Sequence, residues 1–86
     1  MKLTEAEIKP SLSRLKRARG QLDAVIRMME EGRECEEIVT QLSAADKAVS
    51  RASYQVLVTM MRRCLASDDP DAPNVADMEK MFLSFA

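Results

Sequence analysis

Histidine is missing from this 86-residue chain and cysteine is held to two. A single copy can therefore build neither a zinc finger nor any histidine-based metal site or catalytic triad. Tryptophan is absent too and aromatics make up only 3%, so the interior has to come from Leu, Val, Ile, Ala and seven Met, which favours all-α packing. No apolar run approaches the roughly 20 residues of a membrane span. The opening Met-Lys-Leu-Thr-Glu-Ala-Glu also lacks the apolar core of a secretory signal. The expectation is a cytoplasmic, reducing setting, in which a cysteine pair is more often switchable or metal-binding than a permanent staple.

Glycine and proline are scarce, and neither occurs between Cys35 and Cys64. That stretch is predicted to form one helix, over about residues 34–66. Cys35, Ile38, Leu42, Ala45, Val49, Ala52 and Val56 recur at steps of three and four, the spacing of a coiled-coil seam that requires a partner helix. In a straight helix the two cysteines lie about 44 Å apart, whereas a disulfide needs Cα atoms roughly 6 Å apart. They meet only if the seam packs antiparallel on a second copy. A two-fold axis near Val49 and Ser50 then sets Cys35 of one chain beside Cys64 of the other, with Leu42 against Leu57 and Ala45 against Tyr54. The expected unit is a dimer with two identical dithiol sites.

Acidic residues are absent from positions 9 to 19, which hold Lys9, Arg14, Lys16, Arg17 and Arg19. This segment carries +5 against −6 for the rest of the chain, although the net charge is only −1. It falls in a first helix predicted over about residues 10–31, opened by Pro10 and closed by Gly32. Leu12, Leu15, Ala18, Leu22, Val25, Ile26 and Met29 form its apolar stripe. Lys9, Lys16 and Arg17 project from the other side, with Arg14 on one flank. A solvated surface is the ordinary reading of such charge; a face for a polyanion is the sharper one.

The run Val56-Leu57-Val58-Thr59-Met60-Met61 is apolar nearly all round and points to burial beyond one seam, hence to a dimer of dimers. Residues 67–73 read as an acidic, turn-rich loop. A short third helix over about residues 74–85 has Val75, Met78, Met81, Phe82 and Phe85 on one face, which should pack over helix 2. The whole chain is expected to be one domain, and at this size its core gains from oligomerisation.

The chemistry on offer is that of sulfur. A cysteine on an apolar seam is ordinarily a small buried hydrophobe, but Cys35 and Cys64 are placed as mirror images about one axis. Met60 lies one turn before Cys64 on the same face. Core filler is its plain reading; two thiolates and a thioether would alternatively make a soft set suited to Cu(I).

Arg-Leu-Lys-Arg-Ala-Arg-Gly-Gln from Arg14 to Gln21, Cys35, Gln-Leu-Ser-Ala-Ala from Gln41 to Ala45, and Cys64 after two arginines together resemble the copper-sensing operon repressor family. That family includes nickel/cobalt-, formaldehyde- and sulfide-responsive relatives. The resemblance spans roughly residues 10 to 66. It implies a three-helix protomer, an antiparallel helix-2 dimer, a disc-shaped tetramer and binding of operator double-stranded DNA without a helix-turn-helix. Cu(I)-responsive members carry a histidine four residues before the second cysteine, where this chain has Met60. The chain in that respect resembles the persulfide-sensing branch, in which the two cysteines react alone.

The resemblance also matches Arg14 and Arg51 to DNA-contacting arginines, to which Lys16 and Arg17 are added on charge and face. The reading that follows is a cytoplasmic repressor, not an enzyme, with no cofactor. It releases operator DNA when reactive sulfur links Cys35 and Cys64 of neighbouring chains. Its rivals are a Cu(I)-responsive repressor using Cys35, Cys64 and Met60, and a helical oligomerisation module without a DNA role.

Overall fold

The structure, a computed structural model, describes residues 1–66 and 70–85. It contains three helices, α1 (Glu5–Glu30), α2 (Cys35–Ala66) and α3 (Val75–Ser84), and no strand among the described residues. No helix is long and apolar enough to cross a membrane, again among the described residues.

Helix α1 begins at Glu5 rather than at Pro10. The sequence signal that wins is a capping box one turn upstream: Thr4 Oγ1 accepts from the Glu7 N–H at 3.1 Å, and the Thr4 N–H donates to Glu7 Oε1 at 2.8 Å. Pro10 therefore sits inside the helix. Its missing N–H deprives the carbonyl of Ala6, and Ala6 is exposed, so water can take the vacant position. The same Glu7 oxygen also receives Nη1 of Arg63, near the far end of α2, at 2.7 Å. Arg63 Nη1 in addition donates to the Lys2 carbonyl at 2.6 Å, which fastens the chain's first residues to the end of α2.

Gly32 closes α1 as its composition predicts. Its φ of 67° is left-handed, the Arg33 N–H reaches back to the Met28 carbonyl at 3.0 Å and the Gly32 N–H to Met29 at 3.2 Å. This pair of bonds is the Schellman arrangement, in which a side chain at the left-handed position is strained. Arg33 then pairs with Glu37 one turn on, Nε to Oε2 at 3.1 Å, as α2 begins.

The turn folds α2 back antiparallel on α1. Arg14 lies across from Arg51, Gln21 from Ala44, and Met28 from Glu37. Ser11, Ala18 and Val25 are the buried residues of α1, one per heptad, and Ala45 and Ala52 are buried on α2 at the same spacing. Such small side chains let the helix axes approach closely. This corrects the side-chain pairing expected of a helix-2 dimer. Ala45 is 0% exposed, and Ala52 and Leu57 are also buried, within one protomer, so Ala45–Tyr54 and Leu42–Leu57 are not free contacts for a second copy. Part of the seam is occupied by α1.

Helix α3 is capped by Asn74, whose Oδ1 accepts from the Asp77 N–H at 2.8 Å, and packs on α2. Met78 is its buried residue. Near its end the Tyr54 hydroxyl donates to the Phe85 carbonyl at 3.2 Å, with the two rings edge to face at 6.4 Å. The nearly all-apolar run of α2 is thus partly covered from within the chain. Of the acidic loop read from residues 67–73, Ser67, Asp68 and Asp69 lie outside the described residues.

The protomer is a slab of 53 × 25 × 13 Å, about one helix thick. Ile8, Leu12, Leu15, Leu22, Ile26, Leu42 and Val56 all remain exposed, Ile26 at 54%. Most of the predicted α1 stripe is therefore not used inside the chain.

The Glu7 carboxyl is held below the ordinary value of 4.5, first by the Thr4 N–H, then by the Thr4 hydroxyl and by Arg63. Its folded pKa lies below its unfolded one, so its stabilisation is complete above 4.5 and is lost as pH falls through the lowered value. Glu7→Gln keeps an acceptor in the capping box but removes the charge. It is expected to melt below wild type at pH 7, with the gap closing in acid; a gap independent of pH in thermal unfolding would contradict the assignment.

Candidate thiol and nucleic-acid sites

Cys35 is the first residue of α2 and is exposed; Cys64, near the other end, is half-buried. Because α2 runs unbroken between them, their Cα atoms are about 44 Å apart along its axis. One protomer cannot join them. Among the described residues no group of three or more His, Cys, Asp or Glu side chains gathers into a metal site. Any chemistry shared by the two sulfurs therefore requires two chains.

At about 100° per residue, Cys35, Leu42, Val49, Val56, Met60 and Cys64 fall in one sector of α2 roughly 80° wide. Ala45 and Ala52, the residues buried against α1, lie to one side of that sector. The exposed apolar residues of α1 continue the same surface: Leu12, Leu15 and Leu22 line a groove with Val49, and Ile8, Leu12 and Leu15 line another with Val56. The thiols thus stand at the two ends of the apolar face of the slab.

Cys64 has a sulfur neighbour. Its thiol points at the Met1 thioether, Sγ to Sδ 3.9 Å. Met60, one turn before it, is half-buried. Thiolate and thioether sulfurs are soft donors, the kind that favours Cu(I) over harder cations.

The other side of the slab is basic. Arg14 and Arg17 of α1 with Lys47 and Arg51 of α2 line a concavity of about 510 Å³, floored by Ala44 and Ala48 and closed at one end by Gln21. Four cations line it and, among the described residues, no carboxylate does. Like charges gathered on one surface without compensation produce a positive potential that draws polyanions. Small Ala44 and Ala48 keep the floor open between the two helices.

Of the sequence-assigned DNA contacts, Arg14, Arg17 and Arg51 are brought together here. Lys16 is not: it lines the apolar-side groove with Leu12, Leu15, Arg19 and Leu22. On the α1 wheel it projects away from α2, whereas the Arg14 flank turns toward it. Lys47 escaped the sequence reading, although its position one turn before Arg51 on α2 is a signal that places the two on one face.

Comparison with known proteins identifies the family. The model of the metal-sensitive transcriptional repressor family matches residues 7–84. The copper-sensing transcriptional repressor CsoR of Mycobacterium ulcerans (strain Agy99) is 34% identical over 71 residues, 83% of this chain and 61% of that protein. The protein of the same name from Mycobacterium tuberculosis (strain ATCC 25618 / H37Rv) is 30% identical over 76 residues, 88% of this chain and 64% of its own length. The chain thus spans less than two thirds of these mycobacterial relatives. An uncharacterized protein in the bioA 5' region of Serratia marcescens is 36% identical over 69 residues, covering 80% of this chain and 76% of that one. No solved structure matches. With the family model covering nearly all of its three helices, this chain belongs to the metal-sensitive transcriptional repressors, a family of regulators and not of enzymes.

Proposed function

We propose that this chain is a repressor that holds operator DNA on the concavity of Arg14, Arg17, Lys47 and Arg51. It lets go when Cu(I) is bound by Cys35 of one chain and Cys64 of another, with Met60 as a further soft donor. The observation that carries the DNA side is the convergence of four cations from two helices on one open surface without a carboxylate. Phosphate contacts of this kind supply most of the affinity for a duplex. Lys16 stands apart from this surface.

The sensing side rests on a second copy. Two slabs laid apolar face to apolar face, antiparallel, make a four-helix bundle that covers Leu12, Leu15, Leu42 and Val56 and sets Cys35 beside the partner's Cys64. Leu65, Val75 and Leu83 remain exposed near the α3 end of each chain, surface on which two dimers can join into a tetramer. The thiols and the basic concavity then lie on opposite sides of a single helix layer. A ligand that changes how the two slabs meet changes how the four basic concavities are spaced.

For the inducer, the similarity to copper-sensing repressors of mycobacteria favours Cu(I), and the soft donors present suit it. Reactive sulfur, which the sequence alone favours, has a weaker basis beside that similarity. It keeps one specific support: the chain has no histidine, and Met60 stands where the resemblance places the histidine of Cu(I)-responsive members.

Operator affinity measured by fluorescence anisotropy tests the DNA surface. Lys47→Ala or Arg51→Ala should weaken binding across sequences and reduce the log–log salt slope by about one, while Lys16→Ala should leave the slope unchanged. A slope insensitive to Lys47 and Arg51 would exclude the concavity.

The same assay under anaerobic conditions separates the inducers. Stoichiometric Cu(I) should release the wild type in a manner that a chelator reverses, and Met60→Leu, which nearly preserves volume, should weaken that response. Persulfide should have no effect. Release by persulfide that a thiol reductant reverses and that ignores Met60→Leu would establish the sulfur reading instead.

A further inference from the structure

We propose that Met1 is a soft donor at Cys64, so that one chain by itself presents three sulfurs, those of Met1, Met60 and Cys64, to a soft monovalent cation. The proposal rests on the Cu(I) reading of this site and adds a ligand to it. It starts from a sulfur–sulfur contact, Cys64 Sγ to Met1 Sδ at 3.9 Å. With the thiol protonated that contact is a weak S–H···S hydrogen bond.

The spacing suits a shared metal. With metal–sulfur bonds of about 2.3 Å, two sulfurs on a four-coordinate centre that also takes Met60 and Cys35 of another chain stand about 3.8 Å apart. A cation can therefore enter between Sγ and Sδ with little movement of either. The Cys64 proton leaves to solvent as the thiolate binds, and no electron is transferred. Met60, one turn before Cys64 on the same face, supplies the third sulfur from within the same helix.

Met1 is not a loose end at this position. Arg63, adjacent to Cys64, donates to the Lys2 carbonyl at 2.6 Å and to Glu7 Oε1 at 2.7 Å. Glu7 in turn locks Thr4 through the capping box. The segment from residue 2 to residue 7 is thereby tied to the helix turn that bears Cys64, and Met1 is delivered to the sulfur rather than reaching it by chance. Holding a donor in place before binding lowers the ordering cost of the site.

The test uses the full chain, with Met1→Leu produced by cleavage from an N-terminal fusion and helicity checked by circular dichroism. Cu(I) affinity is measured anaerobically against a competing chelator. Met1→Leu should lower it at least about tenfold, since even outer-shell partners of a metal site typically contribute that much. X-ray absorption at the copper edge on selenomethionine-labelled protein gives a second readout. Copper–selenium scattering should persist in Met60→Leu and disappear in the Met1→Leu, Met60→Leu double variant. Unchanged affinity in Met1→Leu, or no copper–selenium scattering in Met60→Leu, overturns the role of Met1 while leaving a copper site at the cysteines standing. Failure of the wild type to bind Cu(I) at all overturns both readings.

Discussion

The close approach of α1 and α2 through small side chains is the constraint on which the rest of this molecule depends. Ser11, Ala18 and Val25 meet Ala45 and Ala52 along one line, and their bulk is too small to fill a core by itself. Larger apolar side chains are consequently pushed to one side of the line and cations to the other. Ser11 shows that size governs the seam, since its buried hydroxyl has no hydrogen-bond partner among the described residues and that omission has a cost. A bulkier residue at Ala45 or Ala52 would force the helices apart and destroy both faces together.

Much of this was legible in the sequence because each signal was local. The missing Gly and Pro between Cys35 and Cys64 gave the long helix, and Gly32 gave the turn through its left-handed backbone. The start of α1 was misplaced because Pro10 is a strong local marker and Thr4-x-x-Glu7 a quieter one, reinforced in the fold by Arg63 from the far end of α2. Distance in sequence hid that reinforcement. The same holds for the seam: periodicity shows which residues of α2 are covered but not whether α1 or a second copy covers them. The alanines go to α1, Leu57 is also buried within the chain, and Leu42 and Val56 are left exposed.

The candidate sites divide along the same line. The basic concavity was half visible as a run of bases on α1, but its other half, Lys47 and Arg51, comes from α2 and appears only when the hairpin closes. Lys16 shares the charge of that run and not its direction. The thiols were visible as a mirror pair, whereas Met1 beside Cys64 depends on a polar strap through Arg63 that no periodicity foretells. In a slab 13 Å thick, the cysteine sulfurs and the basic surface lie on the two sides of one helix layer. Shifting α2 therefore moves both.

On the proposed reading the two thiols of one chain, at opposite ends of α2, never act on each other and work only across an antiparallel pair. Mixing two inactive variants tests it most directly. Cys35→Ser and Cys64→Ser, differing in mass, are unfolded together, refolded and oxidised, and the products are read by intact-protein mass spectrometry. Neither variant alone can form a Cys35–Cys64 bond, but a mixed dimer holds one complete pair, so a crosslink of the summed mass, joining Cys64 of the first variant to Cys35 of the second, is expected only in the mixture. Absence of that mixed species, or a Cys35–Cys64 bond within a single wild-type chain, would rule out the antiparallel pairing.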